Sequence, residues 1–432
     1  MQGRHHTPDH NPTEAARYPG QGNLAQGSLS PSSSAPVRKR RRWLKPVVLA
    51  VSAALLGVLC FGGYWVWRLQ SNISTGSLGA GSNRTESGVD DSKDRIQILV
   101  LGSDTRSGKN GQYGTADQSS GYGQSDVTML VDISADNKNV NVVSFPRDLL
   151  VDVPECTDQD TKQQHAARQG VMINSAMAEA GVGCAVDTVN NLTGLEVDHF
   201  MMADFNAVKE LSTTVGGVDV CVDSAVNDPE SGLDLPQGTS QVQGDQALAF
   251  LRTRHAFADG GDLGRIQAQQ SFLGSLTRKL KSEGILSDPP KVLGIADTMT
   301  RNLTVDQGLA SVPSLLTISD RLKNIDPAKV NFITVPTAPA LEDPNRLALD
   351  EPAAGNLFAA LQKSADLSRA PAEPSTAPNP QDPAAQDPAA NDAAAGAPAA
   401  EGPAPVAEGT GPQNIAAQTA NDQTCQATNP AG

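Results

Sequence analysis

Acidic and basic side chains stand next to several apolar runs of this sequence. Asp104 and Arg106 follow the apolar run 95–101, Asp126 precedes the next β-rich run, and Arg147 follows the third. Sheets of α/β proteins place active-site groups just beyond strand ends, so these side chains are expected to converge. Each position taken alone is more typical of a turn or capping residue, and the prediction therefore depends on the whole set.

A second group of charges lies later in the chain. Arg252 and Arg254 follow an apolar helical pattern, and a glycine-rich turn then leads to Asp262, Arg265 and Gln269. Residues two apart on a continuous helix point to opposite sides, so both arginines reach one site only if the helix ends near Arg252. Residues four apart share one helix face, which puts Arg265 and Gln269 on the same side. Any single arginine here is equally typical of a solvated surface.

Arginines gathered beside carboxylates indicate phosphate chemistry. The guanidinium group offers planar, paired donors that match phosphate oxygens. Magnesium needs only one or two carboxylates together with water and phosphate oxygens, which Asp104 and Asp126 can supply. Phosphoryl transfer depends on positioning and charge neutralisation more than on a protein nucleophile, so the lack of a recognisable Ser/His/Asp pattern is no objection.

Apolar periodicity predicts the elements that must hold these charges. The predicted strands are 95–102, 127–133, 139–145, 198–202, 218–222 and 331–336. The predicted helices are 173–180, 184–192, 204–215, 244–252 and 263–282. Strands alternate with helices, and a short turn joins the second and third strands as an antiparallel pair. We therefore expect an α/β fold with three layers, α-β-α, around a central mixed sheet.

The N-terminal part of the chain predicts a membrane helix. Residues 46–67 carry no charge, follow the basic run 38–42 and end in aromatic residues. At about 1.5 Å per residue this run is about 33 Å long, enough to cross a bilayer. The basic flank predicts a cytoplasmic N-terminus and an extracytoplasmic position for residues 68–432. A cleaved signal peptide is the alternative, but no A-x-A site follows residue 67.

Composition divides the chain into five parts. Residues 1–45 are predicted to be a disordered cytoplasmic segment with a basic flank, 46–67 the membrane helix and 68–92 a flexible stalk. Residues 93–365 form the catalytic domain, and 366–432 a disordered Pro/Ala-rich tail. The net charge is −15, of which residues 1–45 contribute +6, so the remainder carries −21. An acidic body of this kind argues against nucleic acid as a partner.

Four cysteines lie outside the membrane run, in a compartment that permits disulfides. Cys156 and Cys184 bracket a short loop and helix, so we predict that they are bonded to each other. Cys425 lies in the low-complexity tail, and we predict that it does not pair with Cys221.

Eight blocks of the sequence, in order, resemble the LytR-CpsA-Psr family of cell-wall glycopolymer ligases. They are LGSDTR, SDVTML, SFPRDLLVDVP, INSAMAEAG, VDTVNNLTGLEVDHF, VGGVDV, GDQALAFLRTRH and DLGRIQAQQ, spread over residues 95–275. The resemblance implies helices around a central sheet and an apolar tunnel for a polyprenyl chain. It also implies transfer of a glycan phosphate from polyprenyl pyrophosphate to peptidoglycan or a surface protein, assisted by Mg²⁺ or Mn²⁺.

The resemblance assigns roles to individual residues. Asp104 and Asp126 match the metal-binding carboxylates, and Asp262 matches an acid that orients or deprotonates the acceptor hydroxyl. The pyrophosphate contacts match Arg147, Arg252, Arg254, Arg265 and Gln269.

Two positions depart from the family pattern. Gln124 and Met172 stand where many members have a cation. Arg106 is a candidate substitute contact to the pyrophosphate.

Two other functions fit the same residues. A pyrophosphatase would use the same arginines and carboxylates with water as the acceptor. A membrane-bound regulatory or lipid-binding protein would need no catalysis, although the sequence has no helix-turn-helix pattern and the domain is acidic.

Overall fold

The structure is a computed structural model of the chain. It describes residues 44–79, 94–105, 122–158, 161–258, 260–285, 288–365, 367 and 417–429. The chain divides into two units, residues 1–59 and 60–432, and the folded domain belongs to the second. The predicted cytoplasmic segment lies almost wholly outside the described residues.

The described part of the chain contains eight α-helices. They are α1 (Leu44–Asn72), α2 (Ser175–Thr193), α3 (Phe205–Thr214), α4 (Asp245–Arg252), α5 (Asp262–Ser282), α6 (Pro289–Asn302), α7 (Val312–Lys323) and α8 (Ala353–Gln362). Of these, α1 is long and apolar enough to cross a membrane. The sequence did not predict α6, α7 or α8.

The strands vary widely in length. They are β1 (Ser74–Thr75), β2 (Ile96–Ser103), β3 (Ser125–Ile133), β4 (Val140–Phe145), β5 (Leu150–Val153), β6 (Cys156–Thr157), β7 (Gln164–His165), β8 (Arg168–Met172), β9 (His199–Ala203), β10 (Val218–Val222), β11 (Val226–Asp228), β12 (Leu233–Leu235), β13 (Gly238–Val242), β14 (Leu303–Val305), β15 (Val330–Thr334), β16 (Thr337–Pro339), β17 (Leu347–Leu349) and β18 (Ala417–Thr419).

Eight of these strands form the central sheet, in the order β1-β14-β9-β2-β3-β4-β15-β18. The neighbours β2, β3 and β4 pair antiparallel. In contrast, β9 runs parallel to β2, and β15 runs parallel to β4. The sheet is therefore mixed, as the sequence predicted.

Apolar residues on both faces of the sheet explain the layered fold. Leu99 on β2 packs in a buried cluster with Met177 of α2 and Leu357 of α8. Ile98, the preceding residue, belongs to a different cluster that contains Ile318 of α7. Successive side chains of a strand point to opposite faces, so helices must cover both. Full burial of one such side chain stabilises the fold by about 1.5–3 kcal/mol. The three-layer α-β-α architecture is confirmed.

The prediction of two helices between residues 173 and 192 was close to the observed geometry. A single element, α2, covers this region but is kinked at Ala180 and Gly181, whose backbone angles are not helical. Cys184, just beyond the kink, is bonded to Cys156 of β6.

The prediction of a flexible stalk over 68–92 was wrong for residues 68–79. Arg68 forms an ion pair with Asp297 at 2.8 Å. Leu78 is buried, and β1 pairs with β14. The edge of the sheet has unpaired backbone groups, and a short segment of any polar composition can satisfy them. Residues 80–93 lie outside the described part of the chain.

The prediction of a disordered tail over 366–432 was wrong at its far end. β18 pairs antiparallel with β15, and Cys425 is bonded to Cys221. The expectation that these two cysteines do not pair was therefore also wrong. The Pro/Ala-rich composition of 368–416 concealed a short ordered segment after it, and 368–416 itself lies outside the described residues.

Candidate active site

Strand register brings the first group of charges together at one end of strands β2, β3 and β4. Ser103 at the end of β2 pairs with Ser125 at the start of β3, and Thr128 pairs with Phe145 at the end of β4. Asp104, Asp126 and Arg147 flank these positions. Antiparallel neighbours place the end of one strand beside the start of the next, so the three residues lie at the same end of the three strands.

The second group of charges reaches the same strand ends because helix α4 ends at Arg252. The last residue of α4 is Arg252, as the spacing of the two arginines predicted. Thr253 then has extended backbone angles (φ −58°, ψ 138°), so the chain leaves the helix before Arg254. Both arginines consequently line the same cavity.

Asp126 is the centre of the charge network. Its Oδ1 lies 2.9 Å from Nη1 of Arg147 and 3.7 Å from Nη2 of Arg254. Nη1 of Arg265 also lies 3.7 Å from the same oxygen, and Nη2 of Arg265 donates to the Asp126 carbonyl at 3.0 Å. One carboxylate is thus surrounded by three guanidinium groups.

Asp262 holds two of these arginines from the other side. It accepts a hydrogen bond from the backbone N–H of Arg147 at 3.0 Å and pairs closely with Nη2 of Arg265. Burial raises the pKa of Asp262 above its usual range, and the positive charges of Arg265 and Arg147 oppose that rise. Its side chain is only 7% exposed. Its proposed role as a base for the acceptor hydroxyl stays a prediction.

Asp104 is held in place by the turn that leads into β3. Its Oδ1 accepts from the backbone N–H of Gln124 at 2.7 Å, and its own N–H donates to the Gln124 carbonyl at 3.1 Å. Gly123, with φ +72°, permits this approach, because a Cβ there would lie 2.6 Å from the Thr105 nitrogen. Arg106 lies outside the described residues.

The two positions that depart from the family pattern lie near each other. Oε1 of Gln124 accepts a hydrogen bond from Nδ2 of Asn174 at 3.2 Å. Met172, two residues before Asn174, ends β8 and is paired with Leu150.

A cavity of about 600 Å³ opens from the charged strand ends across one face of the sheet. Its polar lining includes Asp104, Asp126, Arg252, Arg254, Arg265 and Gln269, together with Asp204, Asp228, Glu230 and His255. The remaining lining is largely apolar and comes from the sheet and from α3 to α6, including Val100, Met129, Met201, Leu211, Leu276 and Met299. Met201 also packs against a buried cluster of the core.

Arginines and carboxylates both line the cavity, the arginines being Arg252, Arg254 and Arg265 and the carboxylates Asp104, Asp126, Asp204, Asp228 and Glu230. Burial, together with repulsion from Arg147 and Arg265, lowers the pKa of Arg254. Its side chain is nevertheless 40% exposed. The guanidinium group of Arg252 lies 4.6 Å from the ring centre of Phe205, within range of a cation–π contact. The guanidinium groups of Arg252 and Arg254 can therefore donate to a bound anion.

Sequence reasoning missed one ion pair that supports the network. Nη1 of Arg346 lies 2.8 Å from Oδ1 of Asp148, whose other oxygen is 3.6 Å from Nε of Arg147. Arg346 is about two hundred residues away in sequence, and no local pattern marks it.

The carboxylates suit a metal ion that arrives with a phosphate group. Among the described residues there is no cluster of three or more His, Cys, Asp or Glu side chains that could hold a metal by themselves. Asp104 and Asp126 nevertheless line one cavity. Magnesium commonly takes one or two carboxylates and completes its shell with phosphate oxygens and water, so this donor set fits it.

The chain belongs to the LytR_cpsA_psr family, whose model matches residues 69–363. It is 29% identical over 313 residues to the cell wall biosynthesis protein LcpA of Corynebacterium glutamicum, covering 68% of this chain and 59% of that protein. It is 30% identical over 299 residues to the polyisoprenyl-teichoic acid–peptidoglycan teichoic acid transferase TagT of Bacillus subtilis, covering 67% of this chain and 85% of that protein.

Among solved structures, the chain matches a LytR-Csp2A-Psr enzyme from Actinomyces oris. The identity is 20% and the TM-score 0.49, and the match covers 67% of this chain and 95% of that one.

The raised pKa of Asp262 predicts a pH-dependent contribution to stability. The folded state holds this proton more tightly than the unfolded state, so the contribution is fully present below about pH 4 and is lost as pH rises through the folded-state pKa. Urea unfolding of the wild type and of Asp262→Asn should therefore give a stability difference, wild type minus variant, that falls as pH rises. A difference that grows with pH would mean that the arginines outweigh burial.

Proposed function

We propose that this protein transfers a phosphoryl-linked glycan from a polyprenyl-pyrophosphate carrier to a hydroxyl group of the cell wall. The observation that carries the proposal is a cavity with largely apolar walls that is also lined by Arg252, Arg254 and Arg265. The similarity to TagT, which is named as a polyisoprenyl-teichoic acid–peptidoglycan teichoic acid transferase, supports it.

The cavity matches the two chemical halves of such a carrier. Its apolar walls, such as Met201 and Leu276, suit a hydrocarbon chain, which gains free energy by leaving water. The arginines suit the pyrophosphate, since each can donate two parallel hydrogen bonds to its oxygens. A site that had the arginines but lacked the apolar walls would not distinguish a lipid pyrophosphate from a free one.

The reaction is a phosphoryl transfer. The acceptor oxygen forms a bond to the phosphorus that carries the glycan, and the bond from that phosphorus to the bridging oxygen breaks. The products are the glycan phosphodiester, the polyprenyl monophosphate and the proton of the acceptor hydroxyl. Arg252, Arg254 and Arg265 stabilise the charge on the phosphoryl oxygens. Arg147 and Asp262 keep Arg265 and Asp126 in position.

Asp104 and Asp126 are the residues that would hold Mg²⁺ or Mn²⁺. The bound ion supplies neutralisation of pyrophosphate charge at the leaving and transferring groups. Asp126 would then contact the metal ion as well as its arginines, as its 27% exposed side chain allows.

The proposed topology places the site outside the cytoplasm, facing the wall. The basic run before α1 and the two disulfides of the domain both favour this orientation. The acceptor is peptidoglycan or a surface protein.

Topology can be tested by labelling single cysteines in a Cys60→Ser background with a membrane-impermeant thiol reagent. Leu341 is fully exposed, so Leu341→Cys should react in intact cells. Ser33→Cys, before α1, should react only after the membrane is opened. The reverse pattern would refute the proposed orientation.

Replacing Arg254 tests both the site and the reaction. Arg254→Ala should lower transfer of a labelled glycan to wall material by about 100-fold, because a charge-stabilising donor is lost from the transition state. Arg168→Ala is the matched control, since Arg168 pairs with Glu179 on the surface and should leave transfer unchanged. Wild-type transfer in Arg254→Ala would mean that the site is misplaced.

The fate of the label in the wild type separates transfer from hydrolysis. Glycan bound to wall material supports the transferase. Glycan phosphate released into solution, with no attachment when the acceptor is present, would instead identify a pyrophosphatase.

The role of Asp104 can be separated from its structural hydrogen bond. Asp104→Asn keeps an oxygen that can accept from the Gln124 N–H but loses the charge that a metal ion needs. We expect it to unfold at nearly the wild-type temperature and to lose metal-dependent transfer, and we expect the same loss of transfer in Asp104→Ala. If Asp104→Asn kept full Mg²⁺-dependent transfer, Asp104 would not be a ligand.

A further inference from the structure

The last described segment of the chain returns to the folded domain. We call residues 417–429 the C-terminal strap. Its first residues form β18 on the edge of the central sheet, and Cys425 is bonded to Cys221 of β10. Gln426 then forms a parallel bridge with Val222. The strap is therefore attached at two places before its final residues.

The end of the strap pairs with the backbone of the turn between α4 and α5. The N–H of Ala258 donates to the Ala427 carbonyl at 2.8 Å, and the N–H of Asn429 donates to the Ala256 carbonyl at 2.9 Å. Between these two bonds, Phe257 and Thr428 form an antiparallel bridge. The strap thus supplies the turn with the strand-like partner that its own neighbours do not provide.

The strap is itself fixed at this point by a side chain of the domain. Oδ1 of Asp223 accepts from the N–H of Thr428 at 2.9 Å and from its hydroxyl at 2.6 Å. These bonds lower the pKa of Asp223, which keeps the carboxylate charged. The contact with the turn is consequently held from both sides.

Active-site residues lie on both sides of this turn. Arg254 precedes it, and Asp262 begins the helix that follows it. Phe257 is 1% exposed, with its ring centre 5.1 Å from that of Phe250. A Cβ on Gly264 would lie 2.8 Å from the Phe257 carbonyl oxygen, so the first turn of α5 packs directly on the backbone that the strap holds.

The backbone of the turn has a conformation that needs support. Ala258 has φ +49°, in the left-handed region that residues with a side chain seldom adopt. Such conformations persist where surrounding contacts enforce them. The hydrogen bond from Ala258 to Ala427 is one of these contacts.

We propose that the C-terminal strap positions the catalytic turn. Its residues 427–429 hold the backbone of 256–258, and this backbone in turn fixes the start of α5. Arg254, Asp262 and Arg265 therefore keep their places around Asp126 only while the strap is bound. The consequence for catalysis rests on the proposed function, whereas the effect on the turn does not.

The Cys221–Cys425 disulfide explains how so short a segment stays bound. The strap makes few hydrogen bonds with the turn and ends shortly after them. The strap belongs to the same chain, and a covalent link one residue before Gln426 shortens its tether, which raises the effective concentration of the strap at the turn. The disulfide thus joins the far end of the chain to the active site across a sequence separation of 204 residues.

Two truncations of the full chain test the proposal. A chain ending at Gln426 keeps β18 and the disulfide but lacks the residues that bond the turn. A chain ending at Asn429 keeps every described contact and is the matched control. Hydrogen exchange of peptides covering 254–265 should be at least about tenfold faster in the shorter chain, with β2–β4 unchanged. Labelled-glycan transfer should fall with it, while the unfolding temperature stays close to that of the control.

A point substitution gives a second, milder test. Asn429→Pro removes the N–H that donates to Ala256, whereas Asn429→Ala keeps it. Exchange in the turn should be about fivefold faster in the proline variant than in the alanine variant, as expected for one lost backbone hydrogen bond.

Three results would overturn the proposal. One is unchanged exchange at 254–265 in the chain ending at Gln426. Another is faster exchange in the turn with undiminished transfer. The third is faster exchange over the whole domain with a lower unfolding temperature, which would make the strap a general stabiliser. If the control chain itself shows no transfer, the proposed function fails, and the exchange data still decide whether the strap holds the turn.

Discussion

The whole site depends on how the electrostatic cost of gathering three arginines at the ends of β2, β3 and β4 is offset. Arg147, Arg254 and Arg265 all lie within 4 Å of a single oxygen of Asp126. Like charges this close repel, and burial together with this repulsion lowers the pKa of Arg254. Carboxylates placed around them, Asp262 among them, offset this repulsion. Under the proposed function, the phosphate oxygens of the carrier would be further partners for the guanidinium groups.

The fold meets this requirement with three separate devices. Strand register fixes the carboxylate positions, because Asp104 and Asp126 flank paired residues of β2 and β3. Helix α4 ends at Arg252, and α5 then places Arg265 beside Asp126. Buried partners such as Asp262 lock the guanidinium groups, since a charged side chain with few rotamers open to it loses little entropy on binding a ligand. Precision at the site therefore comes from the sheet and the helix ends together.

Local patterns in the sequence were sufficient for most of this. Short apolar runs gave the strands β2, β3 and β4, and the spacing of Arg252 and Arg254 gave the end of α4. The features that were missed are those that depend on distant parts of the chain. The ion pair of Arg346 with Asp148 joins loops far apart in sequence, and no periodicity records it.

Composition was misleading where order depends on a sheet edge. Residues 68–79 and 417–429 look like linkers, yet β1 and β18 lie at the two ends of the central sheet. An edge strand presents unpaired N–H and C=O groups and accepts almost any short segment, because backbone atoms make the bonds. Hydrophobic patterning cannot detect such a strand, and only the Cys221–Cys425 pair could have marked the second one.

The two departures from the family pattern show where the positive charge of this site must come from. Gln124 is bonded to Asn174, and Met172 lies two residues before it, so both lost cations belong to one side of the site. On that side the chain uses hydrogen bonds between the turn before β3 and the start of α2. The cations that line the cavity lie on either side of the α4–α5 turn, with Arg252 and Arg254 before it and Arg265 after it, and the backbone of this turn pairs with residues 427–429. Under the proposed role of the strap, the positions of these cations depend on what holds the backbone between them.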